Sequence, residues 1–204
     1  MCKEKILIFN PKSAKSKHRI PNSILQVGAS IHGKYEYVFV DGNLEKDSWK
    51  TIEEYFNSGD FKYFCSTVMP GPQLKQAIPF SKKIKEQFPE AIVIWGGYFA
   101  SNQYQVSINS GFVDYIISGP GDVAFPSLIA TLELKEYSKL NVIKNLIYKD
   151  CDGKIHKNVK EPLLNQDTLP ELPYEFLNSF YPLKNYLGKT FLGMKTFSYH
   201  SKTL

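Results

Sequence analysis

Two rhythms of apolar and polar positions alternate along this chain. Residues 5–10, 35–40, 61–66, 91–97 and 112–118 are short runs of β-branched and aromatic residues, apolar at most positions. Such runs predict strands buried on both faces, as in a parallel sheet. Between them, apolar residues recur at helical spacing. Residues 21–33 place Ile24, Leu25, Val27 and Ile31 in one helix, with Pro21 in its first turn and Gly33 closing it. Trp49, Ile52, Tyr55 and Phe56 mark the buried stripe of a second. Residues 73–88 predict a third, bent at Pro79. Residues 101–110 predict a weak fourth and residues 123–137 a fifth.

Five strands alternating with five helices predict an α/β fold. The economical form is a doubly wound, five-stranded parallel sheet of flavodoxin-like, Rossmann-like topology. The strand ends read Asn10-Pro11, Asp41-Gly42, Ser66-Thr67, Gly96-Gly97 and Gly119-Pro-Gly121, all small, polar or turn-forming. In open α/β sheets ligands bind at this edge.

The pattern changes after Tyr137. Residues 141–148 and 154–159, joined by Lys149-Asp-Cys-Asp-Gly153, predict a β-hairpin, because Asp-Gly is a strong turn signal. Pro162, Pro170, Pro173 and Pro182 then punctuate a stretch without periodicity, expected to drape over a surface as a linker. Phe191-Leu192 and Thr196-Phe-Ser-Tyr199 are short strand-like pieces. The expected organisation is a sheet domain over 1–138, a hairpin extension over 139–160 and a linker over 161–204. The tail is expected to be poorly tied down, or held on the sheet domain by Phe176, Phe180, Tyr181 and Phe191.

Composition narrows the function. The 204 residues suffice for one well-buried domain and an appendage. No apolar run approaches the ~20 residues of a membrane span. Met1-Cys-Lys-Glu-Lys5 leads directly into the first strand without the character of a signal peptide, so a cytoplasmic protein without membrane partners is expected. The net charge of +5 comes almost wholly from scattered Lys, with Arg19 the single Arg. Bidentate phosphate and guanine recognition favours Arg, so this charge reads as solvated surface and no nucleic-acid partner is expected. Cys2, Cys65 and Cys151 form neither a disulfide framework nor a zinc site. Cys65 reads as a buried, inert thiol.

Neither phosphate-binding glycine fingerprint is present, nor a G-x-S-x-G hydrolase elbow. The ends of strands one, three and five carry Asn10, Ser66 and Gly119, not the acidic and Lys residues of a phosphoacceptor site. His18, His32, His156 and His200 are scattered and read as surface residues.

What remains is Ser66-Thr-Val-Met69 after strand three, Gly96-Gly97 after strand four and Gly119-Pro-Gly-Asp122 after strand five. This combination resembles the N-terminal cobalamin-binding domain of cobalamin-dependent radical S-adenosylmethionine enzymes. The resemblance continues through the hairpin and Asp167-Thr-Leu-Pro-Glu-Leu-Pro173, a pattern that precedes the radical barrel in that family. It implies cobalamin as cofactor, with the benzimidazole tail in a slot opened by the glycine pair and Ser66 or Thr67 bonding to it. The implied cofactor-binding residues are Asn10, Ser66, Thr67, Val68, Met69, Gly96, Gly97, Tyr98, Gly119 and Gly121. Bulk at Gly97 is expected to fill the slot and leave the fold intact.

Two features depart from the pattern. Related methionine-synthase-type domains carry Asp-x-His-x-x-Gly after strand one, whose His binds cobalt; here the loop reads Asn10-Pro-Lys-Ser-Ala-Lys15. No protein metal ligand is therefore expected. The iron–sulfur motif Cys-x-x-x-Cys-x-x-Cys is also absent, and a 4Fe–4S cluster needs such thiolates. Phe197-Ser-Tyr-His-Ser201 resembles the strand that leads into that motif. The resemblance thus implies a cofactor module, inactive alone, of a methyltransferase-like or rearrangement enzyme. Its 4Fe–4S cluster and S-adenosylmethionine would sit in a following radical domain. A flavodoxin-like domain for another cofactor or nucleotide, or a non-catalytic interaction domain, remain the alternatives.

Overall fold

Each apolar run forms a strand in the computed structural model, which describes residues 4–13, 19–190 and 193–196. These are β1 (Lys5–Asn10), β2 (Tyr37–Asp41), β3 (Phe61–Thr67), β4 (Ile92–Gly96) and β5 (Tyr115–Ile117). They pair in parallel in the order β2-β1-β3-β4-β5, which puts the topological switch between β1 and β3. The hairpin strands β6 (Leu146–Lys149) and β7 (Ile155–Lys157) extend this sheet instead of standing apart. β6 pairs antiparallel with β5, and Leu146 and Ile147 are fully buried there. The hairpin thereby covers the edge that β5 would otherwise leave unpaired, and the sheet has seven strands.

The helices are α1 (Asn22–Ile31), α2 (Ser48–Asn57), α3 (Leu74–Gln87), α4 (Tyr98–Asn102), α5 (Tyr104–Ile108), α6 (Ala124–Glu133) and α7 (Tyr174–Phe180). Alternate strand residues enter opposite cores, because successive side chains leave a strand on opposite faces. Ile6, Ile8, Cys65, Ile94 and Ile117 meet residues of α1, α6 and α7 on one face. Leu7, Phe9, Phe64, Val93 and Trp95 meet residues of α2, α3, α4 and α5 on the other. Four helices thus lie on one face and three on the other. No helix among the described residues is long and apolar enough to cross a membrane.

Three elements differ from the periodicity. The weak helix begins earlier, at Tyr98, and splits at Gln103 (φ −108°, ψ 37°). There Asn102 Nδ2 and Ser107 Oγ donate to the carbonyl oxygens of Tyr98 and Gln103, side chains competing locally for main-chain acceptors. β5 is shorter than the apolar run because Asp114 Oδ2 accepts the Val93 N–H at 2.7 Å, and Lys85 Nζ binds the same carboxylate at 2.9 Å. α3 continues unbroken through Pro79.

The tail is tied down through residue 186. Phe176 packs against Tyr37 and Phe39 with ring centroids 4.7 and 5.9 Å apart, and Phe180 reaches Phe39. Tyr181 Oη accepts from Asp41 N at 3.0 Å and donates to Glu45 at 2.6 Å. Tyr186 Oη donates to Asp41 Oδ2 at 2.9 Å, while Asp41 Oδ1 accepts from Asn10 Nδ2 and from Asn43. Burial pushes both phenols well above the ordinary tyrosine range, so they act as neutral donors. Gly188–Thr190 and Gly193–Thr196 form a separate two-stranded pair, β8 and β9. Phe191, Leu192 and the stretch 197–201 lie outside the described residues.

Asp41 is 0% exposed, so losing the Tyr186 hydroxyl strands an oxygen without water to replace it. We expect Tyr186→Phe to cost about 1–3 kcal/mol in urea unfolding, the usual range for an orphaned buried acceptor. Amide exchange should rise over residues 174–186. A loss below about 0.5 kcal/mol would mean that this bond does not anchor the tail.

Candidate functional site

A cavity of ≈ 250 Å3 opens between α1, α6 and the C-terminal ends of β1, β3, β4 and β5. It sits on the α1/α6 face, next to the β1/β3 switch. Its floor is the sheet, where Ile8, Cys65, Ile94 and Ile117 present apolar surface. One wall is α1, whose Ser23, Gln26 and Val27 share a face by their i, i+3, i+4 spacing. The other is the turn Gly119-Pro-Gly-Asp122 followed by Phe125 of α6. Gln26 Nε2 donates to Asp122 Oδ1 at 2.8 Å and so joins the two walls. Asp122 is the one charged residue lining the cavity among the described residues.

Six of the residues singled out from the sequence come together here: Ser66, Thr67, Gly96, Gly97, Gly119 and Gly121. Ser66 borders the cavity and is buried; in register with Phe9 and Trp95 its side chain leaves the sheet on the opposite face, and its hydroxyl donates to the Thr67 carbonyl at a long 3.3 Å. Cys65 lies beside it as the buried thiol expected from the sequence, and burial pushes its pKa up.

The other four stand elsewhere. Asn10 is spent inside the protein: its side chain donates to Asp41 and accepts from Gln73 Nε2 at 3.2 Å. Gln73 in turn receives the Met69 N–H at 2.8 Å, which shapes the loop after β3. Val68 is buried in the opposite core. Met69 and Tyr98 are exposed at the rim, 47% and 62% respectively, with Tyr98 bordering a second cavity on the α4/α5 face. Sequence periodicity gave Val27 as an apolar position of α1 and did not single out Ser23 or Gln26, while Asp122 stood in the turn that carries the resemblance but not among the implied cofactor-binding residues. The polar residues Ser23 and Gln26, three positions apart on one face of α1, were the available signal.

The two glycines of the pair do different things. Gly97 adopts φ 90°, ψ 178°, a region essentially reserved for glycine, and caps α4 directly after β4. A Cβ there would lie 2.9 Å from both Val68 N and Val68 O. Across this approach Val68 N donates to Gly96 O and Phe99 N to Val68 O, so the loops after β3 and β4 close on each other. Bulk at Gly97 therefore disturbs the fold, contrary to the expectation from sequence. A Cβ at Gly96 meets nothing closer than the Ile117 carbonyl at 4.0 Å, and this is the glycine whose missing side chain leaves the cavity open.

Gly97→Ala should thus lower stability by at least about 2 kcal/mol, whereas Gly96→Ala should change it by less than about 1 kcal/mol. Denaturant unfolding of the two variants checks the assignment. Equal losses would remove the distinction.

No protein-family model matches the chain, and comparison with curated proteins gives no match. Solved structures do match. The chain superposes on OxsB, a cobalamin-dependent S-adenosylmethionine radical enzyme with aqua-cobalamin and S-adenosylmethionine bound. The TM-score is 0.74 at 16% identity, over 89% of this chain and 25% of that one. It also superposes on TsrM from Kitasatospora setae, a radical S-adenosylmethionine methyltransferase with cobalamin and a 4Fe–4S cluster bound. Here the TM-score is 0.62 at 18% identity, over 84% of this chain and 31% of that one. The chain spans between a quarter and a third of the length of these enzymes. Its fold is the Rossmann-like α/β fold found within cobalamin-dependent radical S-adenosylmethionine enzymes.

Proposed function

We propose that the chain binds cobalamin, with the benzimidazole tail in the cavity between α1 and α6. The observation that carries this reading is the cavity itself, which is apolar, flat-floored and open where Gly96 lacks a side chain. A cavity on the order of 150 Å3 holds one benzene ring, so ≈ 250 Å3 accommodates a fused two-ring heterocycle. The likeness in fold to enzymes that carry cobalamin supports the same ligand. Ile8, Ile94, Ile117, Val27 and Phe125 would hold the ring by apolar contact, and Thr67 would supply a hydrogen bond at its edge. Cobalamin, when bound, supplies a cobalt centre able to carry an alkyl group. The protein's part is to bind and orient that group and to keep water from the buried tail.

Catalysis would need more than these 204 residues contain. Reductive cleavage of S-adenosylmethionine requires a 4Fe–4S cluster, and three dispersed cysteines lack the Cys-x-x-x-Cys-x-x-Cys spacing. The chain is therefore read as a cofactor module that acts with a radical domain. Anaerobic reconstitution with iron and sulfide should yield no 5′-deoxyadenosine from S-adenosylmethionine. Cluster-dependent turnover by this chain alone would overturn the modular reading.

The binding itself is tested on the purified chain with Cys2 and Cys151 replaced by Ser. Hydroxocobalamin should stay with the protein through desalting and slow the alkylation of Cys65, whose thiol lines the cavity. Gly96→Leu should abolish both effects with an unchanged circular dichroism spectrum. Flavin mononucleotide should do neither. Retention by Gly96→Leu equal to that of the parent, or protection by the flavin alone, would reject the assignment.

A further inference from the structure

We infer that a second cavity, on the α4/α5 face, is a phosphate subsite for the same ligand. This rests on the reading of the first cavity as the benzimidazole slot. The second cavity is an open groove of ≈ 450 Å3 bordered by α4, α5, the end of β5 and β7. Among the described residues two exposed lysines line it, Lys157 of β7 and Lys160 just beyond, and no carboxylate does. Neither lysine is paired with an acidic side chain among the described residues. Lys157 Nζ stands instead 4.3 Å from the centroid of Tyr104, which holds the ammonium beside the cavity. Ser118 lines the same space and is only 4% exposed, so a hydroxyl is built into its wall.

The relation between the two cavities gives this one its ligand. Ile117 faces the first cavity and Ser118 the second, because successive residues leave the β5 end on opposite sides. Gly97 and Gly119 line both. At Gly97 and Gly119, which border both cavities at the ends of β4 and β5, the chain therefore offers backbone and no side chain. A molecule with a flat apolar ring on one face can pass over these glycines and present an attached anion to the lysines on the other. The first cavity is apolar and carries Asp122, so an anion would be repelled from it and drawn to the second. In cobalamin the benzimidazole is joined through ribose to a phosphodiester. A free phosphate would satisfy the same lysines, and the two sources are separable by experiment.

Calorimetric titration of the wild-type chain and of the Lys157→Gln/Lys160→Gln double variant distinguishes them. The ligands are hydroxocobalamin, inorganic phosphate, and cobinamide, which lacks ribose, phosphate and benzimidazole. Hydroxocobalamin should bind the variant roughly tenfold more weakly, the scale of one lost charge-assisted bond at a partly solvated site. The salt dependence of its binding should flatten, and cobinamide should bind both proteins alike. Equal hydroxocobalamin affinity in the two proteins would overturn the subsite. Phosphate binding that the variant loses, with hydroxocobalamin affinity unchanged, would assign the lysines to a separate anion and overturn the link. Failure of wild type to bind hydroxocobalamin at all would instead remove the slot reading, and this inference with it.

Discussion

The carboxyl group of Asp41 lies at the C-terminal end of β2 with no access to water, and the geometry of the rim depends on how it is satisfied. Burying such a group without partners costs several kcal/mol, so its donors are fixed by necessity. They come from three places: Asn10 at the end of β1, Asn43 in the loop after β2, and Tyr186 in the tail. Asn10 and Gln73 carry the connection onward to the main chain of Met69 after β3. One desolvated carboxyl thereby couples three strand ends and the C-terminal tail. A segment punctuated by prolines is thereby tied to the sheet through Tyr186 and the buried carboxyl.

The rest of the rim is shaped by which face each helix takes. α2, α3, α4 and α5 cover one side of the sheet, and α1, α6 and α7 the other. α7 packs against β2 at the far edge, so β3 and β4 are shielded near their ends only by the flanks of α1 and α6. The cavity is the gap between those flanks. Gly97 keeps the gap well defined by letting the loops after β3 and β4 meet at backbone distance. Asn145, in a left-handed conformation (φ 62°), fixes the opposite lip: it donates to the Pro120 carbonyl and accepts the Glu161 N–H. One lip is therefore held by main-chain hydrogen bonds and the other by the side-chain amide of Asn145. The second cavity follows from the same construction, since the hairpin that covers β5 also carries Lys157 to the other side of the strand ends.

Much of this was legible in the order of the residues. Five apolar runs gave five parallel strands, since a strand buried on both faces has no polar alternative. Asp-Gly located the hairpin turn, and small residues at the strand ends located the rim. Phe176, Phe180 and Tyr181 were legible as the anchors of the tail. Six of ten residues named for the site meet in one cavity for the same reason: strand ends that follow equivalent registers arrive at one edge.

What sequence could not give is the allocation of roles among those residues. Asn10 reads as a site residue at a strand end, but its partners lie 31 and 63 positions away in the chain. Gly96 and Gly97 are identical side by side, and only the approach of Val68 tells a glycine needed for backbone contact from one needed for space. Ser23, Gln26 and Asp122 become walls of the cavity only once α1 and α6 are set side by side. The hairpin's own sequence fixes its turn but not the edge it joins. Periodicity and turn chemistry are local, set within a few residues, and so the chain by itself determined the elements and their order. Burial and hydrogen-bond satisfaction are properties of distant pairs, and only the tertiary structure decided which polar groups hold the rim together and which remain free to meet a ligand.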